Sequence, residues 1–265
     1  MRTREAVSPL WNFPIPTGEN RVVHLSVGRP SVGVRRRSVE TTRERFGRNG
    51  ISVSYVEIET YSVTLPGILA TPKDPLAFVV FAHGSGSSRL SPRNSYVATV
   101  LHESGFGTLL FDLLTSREDE VYDNRFDINL LAERLAAATE WLHEQKGLAD
   151  LKLGYFGAST GAAAALQASV RREDVKAIVS RGGRPDLAWD YLDRVTAPTL
   201  LIVGGSDDMA VMEFNERALR RLNIGSRRND NELAVVPGAT HLFEEPGALE
   251  EVSRMATRWF LRFLG

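Results

Sequence analysis

The chain has 265 residues, 43% of them hydrophobic, a net charge of −1 and no cysteine. That length and apolar content suit one α/β domain with a sizeable core. The near-zero charge gives no bulk attraction to nucleic acid or an anionic membrane, and the absence of cysteine excludes disulfides, thiolate metal sites and a cysteine nucleophile. Residues 1–50 hold ten Arg, no Lys and four Glu, with Pro9, Pro14, Pro16 and Pro30 and the run Arg35-Arg36-Arg37. They read as a poorly ordered N-terminal extension, with Trp11 and Phe13 free to dock on the domain. A transit peptide is the lesser reading, because its glutamates and length do not suit one. The longest purely apolar run, Leu76 to Ala82, is seven residues, too short to span a bilayer. No signal-peptide core lies near Met1, and a cytoplasmic location is expected.

From residue 51 to 265 the pattern is regular. Ile51–Glu59 alternates as a half-buried strand, and Tyr61–Leu69 reads as its antiparallel partner with a bulge or bend at Pro66-Gly67. Leu76–Ala82 is a continuous apolar run, as in a strand buried on both faces. Helices are then expected over 96–103, 128–144, 160–172, 187–195, 211–222 and 249–264. Strands are expected over 107–114, 151–156, 175–180, 199–203 and 232–236. Strands separated by helices imply a mostly parallel sheet of roughly eight strands with helices on both faces.

In such sheets, sites form at the carboxyl ends of strands, and four ends carry suggestive residues. Gly157-Ala-Ser159-Thr-Gly161 joins an apolar strand to a helix of small residues, the layout of a nucleophile elbow. The competing reading is a Gly/Ser turn with Ser or Thr as N-cap. Asp207-Asp208 follows the run Thr199–Val203 and Gly-Gly-Ser; a carboxylate there can serve a site or cap the next helix, and with two present Asp207 reads as the site residue and Asp208 as the one near the cap. His241 follows the last strand and is the one histidine after Ser159, as a Ser…Asp…His order requires. His83-Gly-Ser85-Gly-Ser-Ser88 follows Leu76–Ala82; the N–H groups of Ser85 and Thr160 would form a two-donor oxyanion hole. No HExxH, P-loop or dinucleotide fingerprint occurs, so neither a metal nor an organic cofactor is expected.

Taken together, HGSGSS, LLFDLL, GASTGA, SRGGRPDLA and IVGGSDD resemble the α/β-hydrolase superfamily across residues 51–265, and within it the dienelactone-hydrolase-like branch. The resemblance implies an α/β-hydrolase fold with Ser159 as nucleophile, Asp207 as triad acid and His241 as base. The namesake enzymes use a cysteine nucleophile, so their substrate is not carried over. The expected activity is hydrolysis of a small carboxylic ester by acyl transfer. A thioesterase, an acyl-peptide hydrolase with the same triad, and a non-catalytic ligand-binding protein are the alternatives. The link Arg181-Gly-Gly-Arg-Pro-Asp leaves no room for a lid domain, so an open site for a small molecule is expected. Arg181 reads equally as a partner for an anionic substrate group and as half of a structural salt bridge. Residues 115–127 form a polar loop at the site rim, where Tyr122 and Phe126 offer apolar contact.

Overall fold

The structure, a computed structural model, describes residues 45–46, 50–225 and 230–265. The expected N-terminal extension, with Trp11, Phe13 and the arginine run, lies outside the described residues apart from Arg45, Phe46 and Gly50. β2 (Ile51–Glu59) and β3 (Thr64–Pro72) form the expected antiparallel hairpin. A two-residue strand, β1 (Arg45–Phe46), pairs antiparallel with the outer edge of β2. The bulge expected at Pro66-Gly67 is absent. Glu57 pairs with Pro66 and Val56 with Gly67 in unbroken register. The Pro66 carbonyl faces the Asp112 N–H (3.1 Å), just beyond the residues of β3 paired with the next strand. Its nitrogen points to the same side, away from β2, so the missing donor costs no bond of the β2–β3 ladder.

The rest of the sheet is parallel and runs β5-β4-β6-β7-β8-β9, with β5 beside β3. These strands are β4 (Phe78–Ala82), β5 (Gly107–Phe111), β6 (Leu153–Ala158), β7 (Val175–Arg181), β8 (Thr199–Gly204) and β9 (Glu232–Val236). β4, β5, β6 and β8 are buried throughout. That explains their continuous apolar sequences: both faces lie under helices. α1 (Pro92–Glu103) and α6 (Ala248–Leu264) cover one face, over Val79, Phe81, Phe156 and Ile202. α3 (Ile128–His143), α4 (Thr160–Ser169) and α5 (Met209–Gly225) cover the other, over Val80, Tyr155, Ile178 and Leu201. Among the described residues no helix is long and apolar enough to cross a membrane.

Besides shifts of a few residues at element ends, as in the second strand expected at Tyr61–Leu69, three helical segments differ most from the sequence reading. α1 starts four residues early, because Ser91 accepts the Asn94 N–H and Pro92 supplies a preset first turn. Part of the 115–127 loop folds as a short helix, α2 (Ser116–Asp119), with a Thr115/Glu118 capping box, followed by a 3-10 turn at Tyr122–Phe126. The segment after β7 is a 3-10 helix, Pro185–Arg194, with non-helical backbone at Ala188 (φ −115°, ψ 24°) where an α-helix was expected.

α6 packs through Val252, Ala256, Trp259 and Phe260. Phe260 is fully buried, edge-on to Phe106 with 6.2 Å between ring centroids. Phe260→Ala is expected to cost about 3–5 kcal/mol through lost burial and the cavity left behind. The midpoint of urea unfolding checks it.

β4 leads through α1 to β5 on its left, whereas β6 lies on its right. The winding direction therefore reverses between β4 and β6, and the loops leaving those two carboxyl ends lead to helices on opposite faces of the sheet. His83–Ser88 leaves β4, and Ser159 leaves β6.

Candidate active site

Ser159 sits between β6 and α4 at φ 51°, ψ −120°, a backbone region that costs a non-glycine residue about 1–3 kcal/mol. Backbone bonds hold it there. Its N–H donates to the Arg181 carbonyl (3.2 Å), and its own carbonyl accepts from Ala162 (3.1 Å) and Arg184 (3.2 Å). The Ser159 side chain does not cap α4. The flanking glycines are dictated by space: a methyl on Gly157 would overlap Ala162 Cα, and one on Gly161 would overlap the Ala82 and His83 carbonyl oxygens. Those obstacles are backbone atoms and cannot rotate away. Gly161→Ala is therefore expected to shift the elbow and lower turnover about 100-fold, the penalty of a misplacement near 1 Å. Steady-state kinetics on an accepted substrate, beside a melting curve, read that out.

Ser85 and Thr160 lie on the same narrow crevice, with His83, Gly84, Gly86, Leu113, Leu114 and Leu131. Thr160 is the first residue of α4, where a helix leaves its N–H unpaired and positive. Ser85 is carried by a turn closed by Ser87 N–H donating to Gly84 (3.1 Å). A methyl on Gly84 would touch Ser159 Cβ at 3.1 Å, so this loop runs against the elbow. His83 fixes it. Its Nε2 accepts from the Leu113 N–H (3.0 Å), so the ring proton is on Nδ1, which donates to the Gly84 carbonyl (2.9 Å). Burial lowers the His83 pKa, in keeping with this neutral tautomer.

Asp207, just past β8, is almost completely covered. Its Oδ2 lies 2.9 Å and its Oδ1 3.2 Å from His241 Nδ1. Oδ1 also accepts the Asp208 N–H (2.8 Å). Asp208 turns instead to the start of α5, accepting the Ala210 N–H (2.8 Å). The two aspartates thus divide between histidine and cap. The His241 loop is closed by Thr240, whose N–H (3.0 Å) and Oγ (2.5 Å) both donate to Glu245. A methyl on Gly182 would stand 3.4 Å from His241 Cε1, and Gly182 directly follows the residue that receives the Ser159 N–H. Ser159 and the Asp207–His241 pair are therefore brought to one end of β7. No hydrogen bond joins Ser159 Oγ to His241 among the described residues. Such bonds are often long before substrate binds.

The remaining candidates fall elsewhere. Tyr122 and Phe126 are exposed and pack against each other at a tilt, 5.2 Å between centroids, and neither lines the crevice. Its wall is built instead by Asp119 and Arg125, joined through Nε–Oδ1 (2.9 Å) and Nη2–Oδ2 (2.8 Å). The sequence reading passed over both; only the folding of α2 and the 3-10 turn brings them together. Arg181 is buried beneath the His241 loop and makes no salt bridge among the described residues. Arg89 pairs with Asp112, and Arg93 with Glu244 (2.6 Å). Among the described residues no three Asp, Glu or His side chains converge as a metal site would. An open groove of about 480 Å³ between α1 and α6, lined by Tyr96, Glu103 and Glu250, holds none of the candidate residues.

The sheet order, the strained elbow and the covered aspartate beside a part-exposed histidine define an α/β-hydrolase fold. The Dienelactone hydrolase family model matches residues 65–264, and the chain belongs to that family. It is similar to a solved dienelactone hydrolase from Anabaena variabilis, at 50% identity and TM-score 0.76, covering 82% of this chain and all of that one. The structure of Est1E from Butyrivibrio proteoclasticus shares the fold at 16% identity and TM-score 0.66, covering 78% of this chain and 98% of that one. A Mycobacterium tuberculosis protein provisionally named a phosphoribosyl transferase is 55% identical over 210 residues, 79% of this chain. The chain spans about half of that relative's length (46%).

Proposed function

We propose that the chain is a serine hydrolase that cleaves a small carboxylic ester by two-step acyl transfer. His241 takes the proton from Ser159 as its Oγ attacks the ester carbonyl. Asp207 orients the imidazole and stabilises the imidazolium. The Ser85 and Thr160 N–H groups receive the developing oxyanion; the ester C–O bond then breaks as His241 gives its proton to the departing alkoxide, and water activated by His241 hydrolyses the acyl-enzyme, releasing the acid and restoring Ser159. The observation that carries this reading is the covered Asp207 carboxylate 2.9 Å from His241 Nδ1, beside a serine held at positive φ. Membership of a hydrolase family supports it. The transferase name belongs to a protein about twice as long as the matched segment, and the Ser159 site gives it no support.

The test is labelling with a fluorophosphonate, followed by mapping of the modified residue. Ser159 is the expected adduct. Short p-nitrophenyl esters, set against acyl-thioesters and acyl-peptides, then separate an esterase from a thioesterase or acyl-peptide hydrolase. If nothing is labelled and no acyl compound is turned over, the protein is a ligand-binding member of the fold instead.

A further inference from the structure

The mechanism above leaves Arg181 unused, although its surroundings are unusual. Arg181 ends β7, opposite Ala158, and only 7% of it is exposed. The alternation of β7 sets its direction. Ser180 faces α4, where a methyl on Gly183 would overlap Ser180 Oγ and crowd Ala162 Cβ. Arg181 therefore faces the opposite side, toward α1 and the residues after His241. There Nη1–H donates to the Leu242 carbonyl (3.4 Å), and the guanidinium lies over the Phe243 ring, 5.9 Å from its centroid. Phe243 is itself buried, at φ 57°. The next residue, Glu244, is engaged by Arg93.

Charge makes the arrangement costly. Arg181 has no carboxylate partner among the described residues, and its Nε is buried without an acceptor. Burial, with Arg93 nearby, lowers its pKa to about 10. An apolar side chain of similar size would fill this space more cheaply if packing were the whole purpose. What an apolar residue would lack is the grip on Leu242 and Phe243. Meanwhile the Arg181 main-chain carbonyl accepts the Ser159 N–H. One residue thus touches both halves of the candidate site: its backbone holds the elbow, and its side chain holds the loop that carries His241.

We infer that Arg181 is a positioning residue, setting the His241 loop against the Ser159 elbow through the Leu242 carbonyl and the Phe243 ring rather than binding substrate. This rests on the proposed triad. The experiment compares wild type, Arg181→Met and Arg181→Lys on neutral p-nitrophenyl acetate and on the anionic mono-p-nitrophenyl ester of succinate. Wild type and Ser159→Ala are first treated with a fluorophosphonate. If wild type is not labelled at Ser159, the functional reading fails, whatever Arg181 does.

With labelling established, Arg181→Met is expected to lower kcat by up to about 100-fold on both esters, with KM within about twofold of wild type. Arg181→Lys, which keeps the charge and stem but loses the planar fork, is expected to recover part of that loss. Free guanidinium added to Arg181→Met is expected to restore activity further. Three results would overturn the inference: unchanged kcat in Arg181→Met, a rise in KM confined to the anionic ester, or full wild-type kcat in Arg181→Lys. The second would make Arg181 a substrate-binding residue. Should Arg181→Met fail to fold, Arg181→Lys decides alone: reduced kcat at unchanged KM supports the clamp, and wild-type kcat removes it.

Discussion

Ser159→Ala is expected to lower kcat on an accepted ester by about 10⁴-fold or more and to abolish fluorophosphonate labelling, while leaving the fold in place. The reason lies in how the elbow is built. All three hydrogen bonds that hold Ser159 at positive φ use main-chain atoms. The spaces beside it are kept by Gly157 and Gly161. Alanine preserves both devices and removes only Oγ, the atom proposed to attack. The Asp207–His241 pair and the proposed Ser85 and Thr160 donors stay, so a small residual rate over water is expected. Melting temperature within a degree or two of wild type, measured beside kcat, separates lost chemistry from lost structure. A variant that turns over ester at the wild-type rate would dismiss Ser159 as nucleophile.

Much of this site is legible because it depends on local spacing. Gly157-x-Ser159-x-Gly161 is visible as a pattern, and the structure supplies the cause: the start of helix α4 crowds Gly157, and the end of β4 crowds Gly161. The strands are legible wherever both faces are buried, since continuous apolar runs admit few other readings. Ser91-Pro92 and Thr115-x-x-Glu118 were equally local signals, and they place α1 and α2 more accurately than hydrophobic period alone. The rest is tertiary. Asp119 and Arg125 are six residues apart in a polar loop, and nothing in that spacing says they meet at a crevice wall. The surroundings of Arg181 depend on Leu242 and Phe243, some sixty residues away. The choice between a salt bridge and a substrate contact therefore had no basis in sequence; the structure shows no carboxylate beside Arg181 among the described residues and sets its guanidinium against Leu242 and Phe243.

Asp207→Asn is expected to lower kcat by about 10⁴-fold with little change in KM, and the hydrogen-bond inventory explains why so small a change matters. The Asp207 carboxylate only accepts: Oδ1 takes the Asp208 N–H, and Oδ2 faces His241 Nδ1. Asparagine keeps one oxygen and gains an NH₂. Turning that NH₂ toward the Asp208 N–H would set donor against donor in a covered place, a costly clash. The favourable orientation keeps the oxygen on Asp208 and points the NH₂ at His241. Nδ1 must then accept, and the ring proton moves to Nε2. Nε2 is the atom that the proposed mechanism needs free to take the Ser159 proton. Substrate binding is untouched, so the loss falls on kcat. Asp208→Asn serves as the control, because asparagine caps a helix about as well as aspartate and, among the described residues, the Asp208 carboxylate accepts only the Ala210 N–H. It is expected to stay within about twofold of wild type, a change well under 1 kcal/mol. Kinetics of the two variants on the same neutral ester check both, and near-wild-type turnover in Asp207→Asn would remove Asp207 from the triad.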